Sequence, residues 1–582
     1  MNAIQQLLTD HLDIWTAADT EKKTGRGRAS GIAESVYGIK KLRELILELA
    51  VRGKLVRQDA NDEPAGELFK RIQSKKAKLI TEGKIKKYKP LPIISEEEKP
   101  FELPQGWIWS RLGLLGNTQT GSTPSKSDPE SFGSDVPFIK PGDIYPNYVD
   151  YGNEGLSFQG AKQSGRIAQS GSILMVCIGT IGKCNLIDRD CSFNQQINSV
   201  TPFLFDSHYL LSVCRSVFFH TQAWSKSSST TIAILNKGNW EEICIPIPPL
   251  EEQHRIVAKV DELMALCDQL ESRHYNAAEA HEKLVSHLLG TLTQSQNAKD
   301  FSANWQRIAA HFETMFTTEA SIDDLKQTLL QLAVMGKLVP QDSNEEPASE
   351  LFKRIQVEKA KLIAEGKIKK DKPLPEISGE ELPFELPQGW EWVRLHSVID
   401  VRDGTHDSPK EAGGAETYPL VTSKDFFEGR IYFDGARRIS KADHIEIAKR
   451  SLVEKYDILF SMIGGNIGNQ VIVEDDRPFS IKNVALFKYY DRNLTFPFFI
   501  KKYMENLAVN LQATAVGGAQ PFVALGALRI LVMALPPLAE QHRIVAKVDE
   551  LMALCHKLKI RIVQANQLQQ KLADVVVERA IV

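Results

Sequence analysis

EQHRIVAKVDELMALC runs from Glu252 to Cys267, and the same sixteen letters return unchanged from Glu540 to Cys555. Apolar residues at Ile256, Val260, Leu263, Cys267 and Leu270 alternate steps of four and three, as do Ile544, Val548, Leu551, Cys555 and Leu558. That spacing predicts two helices with a narrow, coiled-coil-type seam. The prolines of PIPPLEEQ and ALPPLAEQ suit helix starts. Continued to about Leu289, the first helix would have roughly 38 residues and a length of ~57 Å. One copy of such a seam is equally consistent with an ordinary helix lying on a globular core. Two copies identical even at polar positions predict that the helices meet each other or two copies of one partner. Gln253, His254, Arg255 and Lys259, with Gln541, His542, Arg543 and Lys547, are therefore candidate subunit-interface residues.

A second repeat precedes the first. Leu49 to Pro92 (LAVRGKLVRQDANDEPAGELFKRIQSKKAKLITEGKIKKYKPLP) matches Leu332 to Pro375, and FELPQGW ends both blocks at Trp107 and Trp390. Leu49 and Leu332 stand 283 positions apart, as do Trp107 and Trp390. Self-similarity of this kind precedes any other fold argument. The chain divides into a tail (1–35), a helical repeat (36–107), insert one (108–245) and a helix (246–294). A linker (295–318) leads to the second helical repeat (319–390), insert two (391–533) and the last helix (534–582). TEKKTGRGRAS, Thr20 to Ser30, is polar and basic, and predicts a mobile segment.

At 582 residues the chain exceeds one core, and 42% hydrophobic with 25% charged residues is the balance of a soluble protein. No window approaches the ~18 unbroken apolar residues of a membrane span. The acidic residues of the N-terminus do not fit a secretory signal, which predicts a cytoplasmic protein without a membrane partner. Seven cysteines with no C-x-x-C pair read as reduced thiols, and no zinc pattern is present. A net charge of −3 gives no bulk signal for nucleic acid, so any DNA site must be local.

The inserts share little sequence. Both show short apolar runs broken by turn residues, VPFIKPGDI and GSILMVCIGTIGKCNLI in the first, YPLVTSKDF and YDILFSMIGGNIGNQVIV in the second. These predict compact α+β domains. GTIGK (Gly179 to Lys183) fails as a phosphate loop, because Cys184 replaces the required Ser or Thr and the glycine spacing is wrong. It and GGNIG (Gly464 to Gly468) predict tight turns between strands. Neither a motor motif nor a metal-hydrolase motif occurs.

PPLEEQHRIV and PPLAEQHRIV, the ELPQGW before each insert, GSTP (Gly121 to Pro124), DGTHDSP (Asp403 to Pro409), and GSILMVCIGTIGK with YDILFSMIGGNIG carry a family resemblance. In this order, twice, they resemble the specificity subunits of type I restriction-modification enzymes, over nearly the full chain. The long block before each insert resembles a subclass with an extended N-terminal conserved region. The resemblance implies an α+β fold in which two α/β target-recognition domains are held apart by long antiparallel coiled-coil helices, as an internal pseudo-two-fold repeat. It implies double-stranded DNA as partner, an asymmetric two-part target, two methyltransferase subunits and two restriction/translocase subunits. S-adenosylmethionine, ATP and Mg would belong to those partners, and this chain would bind no cofactor and catalyse nothing. A self-contained nuclease or methyltransferase with two recognition domains, and a scaffold whose inserts bind protein, are the alternatives.

Loops of small polar and basic residues beside glycine suit contacts to base edges and phosphates. In insert one these are Ser122, Thr123 and Lys126, then Lys226, Ser228, Thr230 and Lys237, and apart from them Gln195 and Gln196 carry amides that suit adenine. In insert two they are Thr405, His406, Lys410 and Gln520. For each, a turn or solvated-loop role is the plain alternative.

Overall fold

A computed structural model describes residues 11–17 and 36–581, except 88, 126, 165, 229–231, 297, 415 and 518–520. The basic stretch 20–30, Lys126, Thr230 and Gln520 thus lie outside the described residues. The chain forms two compact units, residues 1–277 with 565–582, and residues 278–564.

In unit 1 the frame helices Tyr37–Val51 and Ala65–Thr81 pack against residues 250–277 of the first long helix. The seam residues Ile256, Val260, Leu263 and Cys267 are buried together with Leu42, Leu49, Leu68 and Ile72. Burial of a Leu or Ile side chain contributes about 1.5–3 kcal/mol each, so this interface is a substantial part of the unit's stability. The C-terminal residues 565–581 close the same core: Ala573 is buried in it, and the Tyr37 hydroxyl donates to Asp574 at 2.8 Å. Trp15, on the short helix Leu12–Ala17, is also fully buried there. Residues 12–17 of the expected tail thus form a helix that contributes to this core.

Unit 2 repeats the plan with Glu319–Val334, Ala348–Ala364 and residues 538–564 of the second long helix. Ile544, Val548, Leu551 and Cys555 are buried with Leu325 and Leu329, and Val285, Leu289 and Leu292 from the end of the first long helix join them. That helix is Leu250–Thr293, 44 residues rather than the 38 expected, because it starts two residues earlier, directly after Pro249, and runs four further, where the Thr291 and Thr293 hydroxyls bond the Leu288 and Gly290 carbonyls. The expected linker 295–318 also contains helices, Ala298–Ala309 and Phe312–Met315. Phe301, Trp305 and Ile308 recur at steps of four and three and dock on the core, a spacing too short to stand out in the sequence. No helix among the described residues is long and apolar enough to cross a membrane.

Each insert is clamped at its base by its first and last strands, β1 (Ile108–Arg111) with β10 (Cys244–Ile247) in unit 1, and β11 (Glu391–Arg394) with β21 (Val532–Leu535) in unit 2. The closing strands run two residues past the expected insert ends at 245 and 533. Between them unit 1 has β2 (Gly116–Thr120), β3 (Phe132–Ile139), β4 (Gly155–Leu156), β5 (Ile167–Ala168), β6 (Ile173–Val176), β7 (Cys184–Leu186), β8 (Cys191–Phe193) and β9 (Ile197–Pro202). They form two sheets, ordered β2-β9-β6-β7 and β4-β3-β8-β5. The period-2 alternation of β6 serves both faces: Ile173 and Met175 face the frame core, whereas Leu174 and Val176 face the other sheet.

Insert two has β12 (Ile399–Asp403), β13 (Thr417–Val421), β14 (Phe426–Phe427), β15 (Arg430–Ile431), β16 (Arg437–Ser440), β17 (Ile458–Ser461), β18 (Gln470–Ile472), β19 (Ser480–Ile481) and β20 (Val484–Tyr489). Its main sheet, β12-β20-β17-β18, has the order of β2-β9-β6-β7. In each insert one parallel pair, β3 with β8 or β13 with β19, stands beside it. The glycine turns GTIGK and GGNIG connect antiparallel neighbours, β6 to β7 and β17 to β18, as expected. The helical stretch 208–224 is two helices, Ser207–Arg215 and Val217–Ser225, divided where Ser216 caps the second through the Phe219 amide. Its counterpart in insert two is the single helix Pro497–Ala513.

Candidate nucleic-acid interface

Strand direction brings the loops of each insert to one rim. Thr120 pairs with Asn198, Val176 with Ile197, and Ile139 with Phe193, so the C-terminal ends of β2, β6, β3 and β8 converge where β9 begins. In insert two Asp403 pairs with Ala485, Ser461 with Val484, and Val421 with Ile481, which reproduces the arrangement.

The loop after β2 crosses the loop between β8 and β9. Gly121 N–H donates to Ile197 and Ser122 N–H to Phe193, both at 3.0 Å, while Gly404 donates to Val484 and Thr405 to Ile481 at the same distances. Glycine is required for the approach. A Cβ on Gly121 would lie 2.1 Å from the Asn194 carbonyl oxygen, and one on Gly404 2.5 Å from that of Ile481.

At this crossing Thr123 donates its hydroxyl to the exposed Gln195 side-chain carbonyl, which fixes the amide and leaves its N–H₂ turned outward. Gln196 is different. Asn194 holds its carbonyl at 3.1 Å, and Cys177 N–H takes its backbone oxygen at 2.8 Å, so Gln196 belongs to the turn rather than to a reading surface. Asn198 is buried between Thr120 and Cys177. Ser122 is half-buried.

In insert two His406 is exposed and stands between Asp403, 3.0 Å from Nε2, and Asn483, 3.2 Å from Nδ1. Arg450 pairs with the other oxygen of buried Asp403. Asn483 adopts the left-handed φ of +56°, which asparagine tolerates better than most residues, and so turns Lys482 and itself toward the rim. Thr405 accepts from Asp407 N–H at 3.1 Å, and Lys410 is exposed. Lys482, Asn483 and Arg450 escaped the sequence reading, because no glycine marks KN as a loop.

The third loop also repeats. Ser228 bridges Ile234, which bridges Ile178 in the β6–β7 turn; Val516 bridges Phe522, which bridges Ile463 in the β17–β18 turn. Two of its basic candidates are engaged within the chain: Lys226 lies 3.8 Å from Glu242 and Lys237 3.1 Å from Glu241. The Ser228 hydroxyl faces the Ile234 carbonyl at 3.3 Å.

The identical polar residues of the long helices serve their own units. Gln253 is fully buried, accepting from Asp206 N–H at 2.9 Å and donating to the Pro248 carbonyl at 3.0 Å; Gln541 binds Phe496 N–H and the Pro536 carbonyl in the same way. Arg255 pairs with Asp62 at 2.6 Å, and Arg543 with Glu345. The buried amides of Gln253 and Gln541 tie each helix start to its insert, while Arg255 and Arg543 tie it to the frame and stay partly exposed. His254, His542, Lys259 and Lys547 keep exposed surface, with Glu262 2.7 Å from Lys259 and Glu550 3.0 Å from Lys547.

Two further ties recur at the base. Trp107 and Trp390 donate to buried Glu252 and Glu540, whose carboxyls burial pushes above their ordinary range. Arg111, nearly fully buried, reaches Glu98 with both terminal nitrogens at 2.8 Å and the carbonyls of Pro92 and Glu242, and Arg394 does the same with Glu381, Pro375 and Ile530. Among the described residues no group of three or more His, Cys, Asp or Glu side chains is placed to hold a metal.

Fold and rim define a class: a repeated helical frame carrying two inserts of common topology whose rims differ in side chains. Residues 104–280 and 387–565 match the family profile described as type I restriction modification DNA specificity domain. The type I restriction enzyme EcoAI specificity subunit of Escherichia coli is 40% identical and the EcoEI specificity subunit 37% identical, each alignment covering 100% of both chains. The crystal structure of an HsdS subunit from Thermoanaerobacter tengcongensis is 19% identical, covers 83% of this chain and 98% of that one, and gives a TM-score of 0.40. The chain belongs to the family of type I restriction-modification specificity subunits.

Proposed function

We propose that this chain selects the DNA sequence on which a type I restriction-modification complex acts, each rim reading one half of an asymmetric, two-part target. The observation that carries this reading is the shared backbone crossing at Gly121 and Gly404 beneath unlike side chains, Thr123 and Gln195 in one insert, His406, Lys482 and Asn483 in the other. A constant platform with variable chemistry is what separate half-site specificities require. Direct readout through side-chain amides and cations at the major-groove edge suits these residues.

In the same proposal the long helices pair as an antiparallel coiled coil that sets the distance between half-sites. Two methyltransferase and two restriction/translocase subunits dock on the complex in the cytoplasm. S-adenosylmethionine, ATP and Mg are bound by those partners, and this chain contributes recognition without chemistry. Sequencing genomic DNA for modified adenines, with and without this chain and its methyltransferase, tests the reading. Two short unlike sequences separated by a fixed gap are expected, and an unchanged modification pattern would overturn it. Removing one helical turn after Gln253 is expected to change the gap; an unchanged gap would remove the spacer role.

A further inference from the structure

Each rim also carries a hairpin that the reading above does not use. In insert one it leaves β3: Asp143 caps it by accepting from Lys140 N–H at 2.7 Å, Ile144 bridges Val149, and Tyr145 N–H donates to Tyr148 at 2.9 Å. In insert two it leaves β13: Asp425 accepts from Thr422 N–H at 2.7 Å, β14 pairs with β15, and Glu428 and Gly429 turn the tip with φ of +50° and +74°. The tips share aromatic character without sharing sequence. Tyr145 and Tyr148 stack at 4.6 Å with planes 11° apart, and Phe427 meets Tyr432 edge-on at 5.6 Å. Tyr148 is 57% exposed and Phe427 60%, so each tip presents a ring to solvent.

The hairpins belong to the rims by hydrogen bonding. Asn194 N–H donates to Ile139 at the root of the first hairpin at 3.0 Å, and Lys482 N–H to Val421 at the root of the second at 2.9 Å. Lys183 Nζ stands 5.7 Å from the Tyr145 ring and donates to the Pro141 carbonyl at 2.7 Å, which places a cation beside the tyrosine pair. Arg430 follows Phe427 across the second turn. An exposed ring face with a neighbouring cation is the arrangement that holds a nucleobase while a phosphate lies alongside.

We propose that the two hairpin tips are base-stacking elements, each binding one unstacked base of the duplex at its own half-site. The proposal rests on the DNA-reading assignment and goes beyond it, because it adds a deformation of the DNA to the reading of base edges. Aromatic wedges of this kind open base steps elsewhere in DNA recognition.

The test uses the full chain co-purified with its methyltransferase and duplexes of the mapped target with 2-aminopurine at each adenine in turn. The expected result is a fluorescence rise in each half-site at a position other than the methylated adenine, which the methyltransferase itself unstacks. Tyr145→Ala with Tyr148→Ala abolishes the rise in one half only, and Phe427→Ala with Tyr432→Ala in the other only, each weakening binding by roughly five- to a hundredfold. Tyr145→Phe with Tyr148→Phe keeps the rise, because stacking needs the ring and not the hydroxyl. Retained base selection at the mutated half-site, through the crossing at Gly121 or Gly404, reports that the altered insert is folded. Sequence-specific binding with no rise, or a rise indifferent to both alanine pairs, overturns the stacking role and leaves the reading role standing. Loss of methyltransferase co-purification in the alanine pairs overturns it in favour of a protein-docking hairpin. Binding without sequence preference by the unaltered complex overturns the reading itself.

Discussion

Trp107 donates its indole N–H to Glu252, 145 positions away in the chain, at 2.9 Å, and Trp390 repeats the contact with Glu540 at 3.0 Å. The last residue of ELPQGW is thus bonded to the first residue of the repeated helix segment, which anchors both ends of each insert on one helix start. Trp107→Phe keeps most of the ring and removes the donor, leaving buried Glu252 with Gln58 at 3.2 Å. Hydrogen bonds to charged groups contribute about 1.5–3 kcal/mol, so the urea midpoint should fall by that amount divided by the m-value. The pH dependence has a definite sign. Burial raises the Glu252 carboxyl above 4.5, so its contribution is fully present below 4.5 and is lost as pH rises through the raised value. Losing the indole donor raises it further and should steepen the decline in stability on going from acid to neutral.

Arg111 and Arg394 give the opposite slope. The guanidinium beside Glu98 holds that carboxyl down at about 2, and Arg394 does the same to Glu381. Stability from these pairs is present above 4.5 and is lost as pH falls through about 2. Glu98→Gln should flatten the acid limb of unfolding between those values, followed by circular dichroism; an unaltered acid limb would show that the pair does not couple to folding.

How far the sequence spoke for itself varies with the kind of signal. The seam of Ile256, Val260, Leu263 and Cys267 was legible because helical periodicity and exact repetition coincide. The meaning of the identical polar residues was not, since Gln253 and Arg255 find their partners, Asp206 and Asp62, far away in sequence. Thr123, Thr405 and His406 were legible as loop residues close to glycine and Gln195 as an amide suited to adenine, and the structure places them at the two crossings. Lys482 and the aromatic hairpins were not, because nothing local distinguishes an exposed Phe427 from the buried Phe426 beside it. Only the fold sorts those two.

The cysteines should be silent in the native protein. All seven are free and buried, with burial pushing Cys177 and Cys191 up to about 12 and Cys184 and Cys267 up to about 11. The thiolate is the reactive form, so a colourimetric thiol reagent should titrate essentially none before unfolding and seven afterwards. Rapid reaction of a native thiol would locate an opening in one of the two units.

Gly121→Ala should damage one half-site and spare the other. Its new Cβ would press on the carbonyl oxygens of Asn194 at 2.1 Å and Phe193 at 2.3 Å, which are backbone and cannot rotate away. The crossing must therefore open, displacing Gln195 while leaving the cores unchanged. Selection experiments on randomised duplexes should show relaxed preference in one half of the target with the second half retained, and Gly404→Ala should exchange the two outcomes.

Gln195→Ala and His406→Ala separate reading from positioning. A bidentate side-chain contact to a base discriminates by about 1–3 kcal/mol, whereas a phosphate contact weakens all sequences alike and lowers the salt slope. Gln195 is exposed, and its amide is oriented by Thr123, so its loss should relax selectivity at one base pair and leave the salt dependence intact. Thr123→Val should give a weaker form of the same change, because the amide remains but can rotate. Lys482→Ala should lower affinity across sequences with a shallower salt dependence, as its cation on the Ser408 hydroxyl lies toward the loop edge. Competition binding at two salt concentrations distinguishes them. Uniform weakening by Gln195→Ala with a reduced salt slope would move that residue from the reading group to the positioning group.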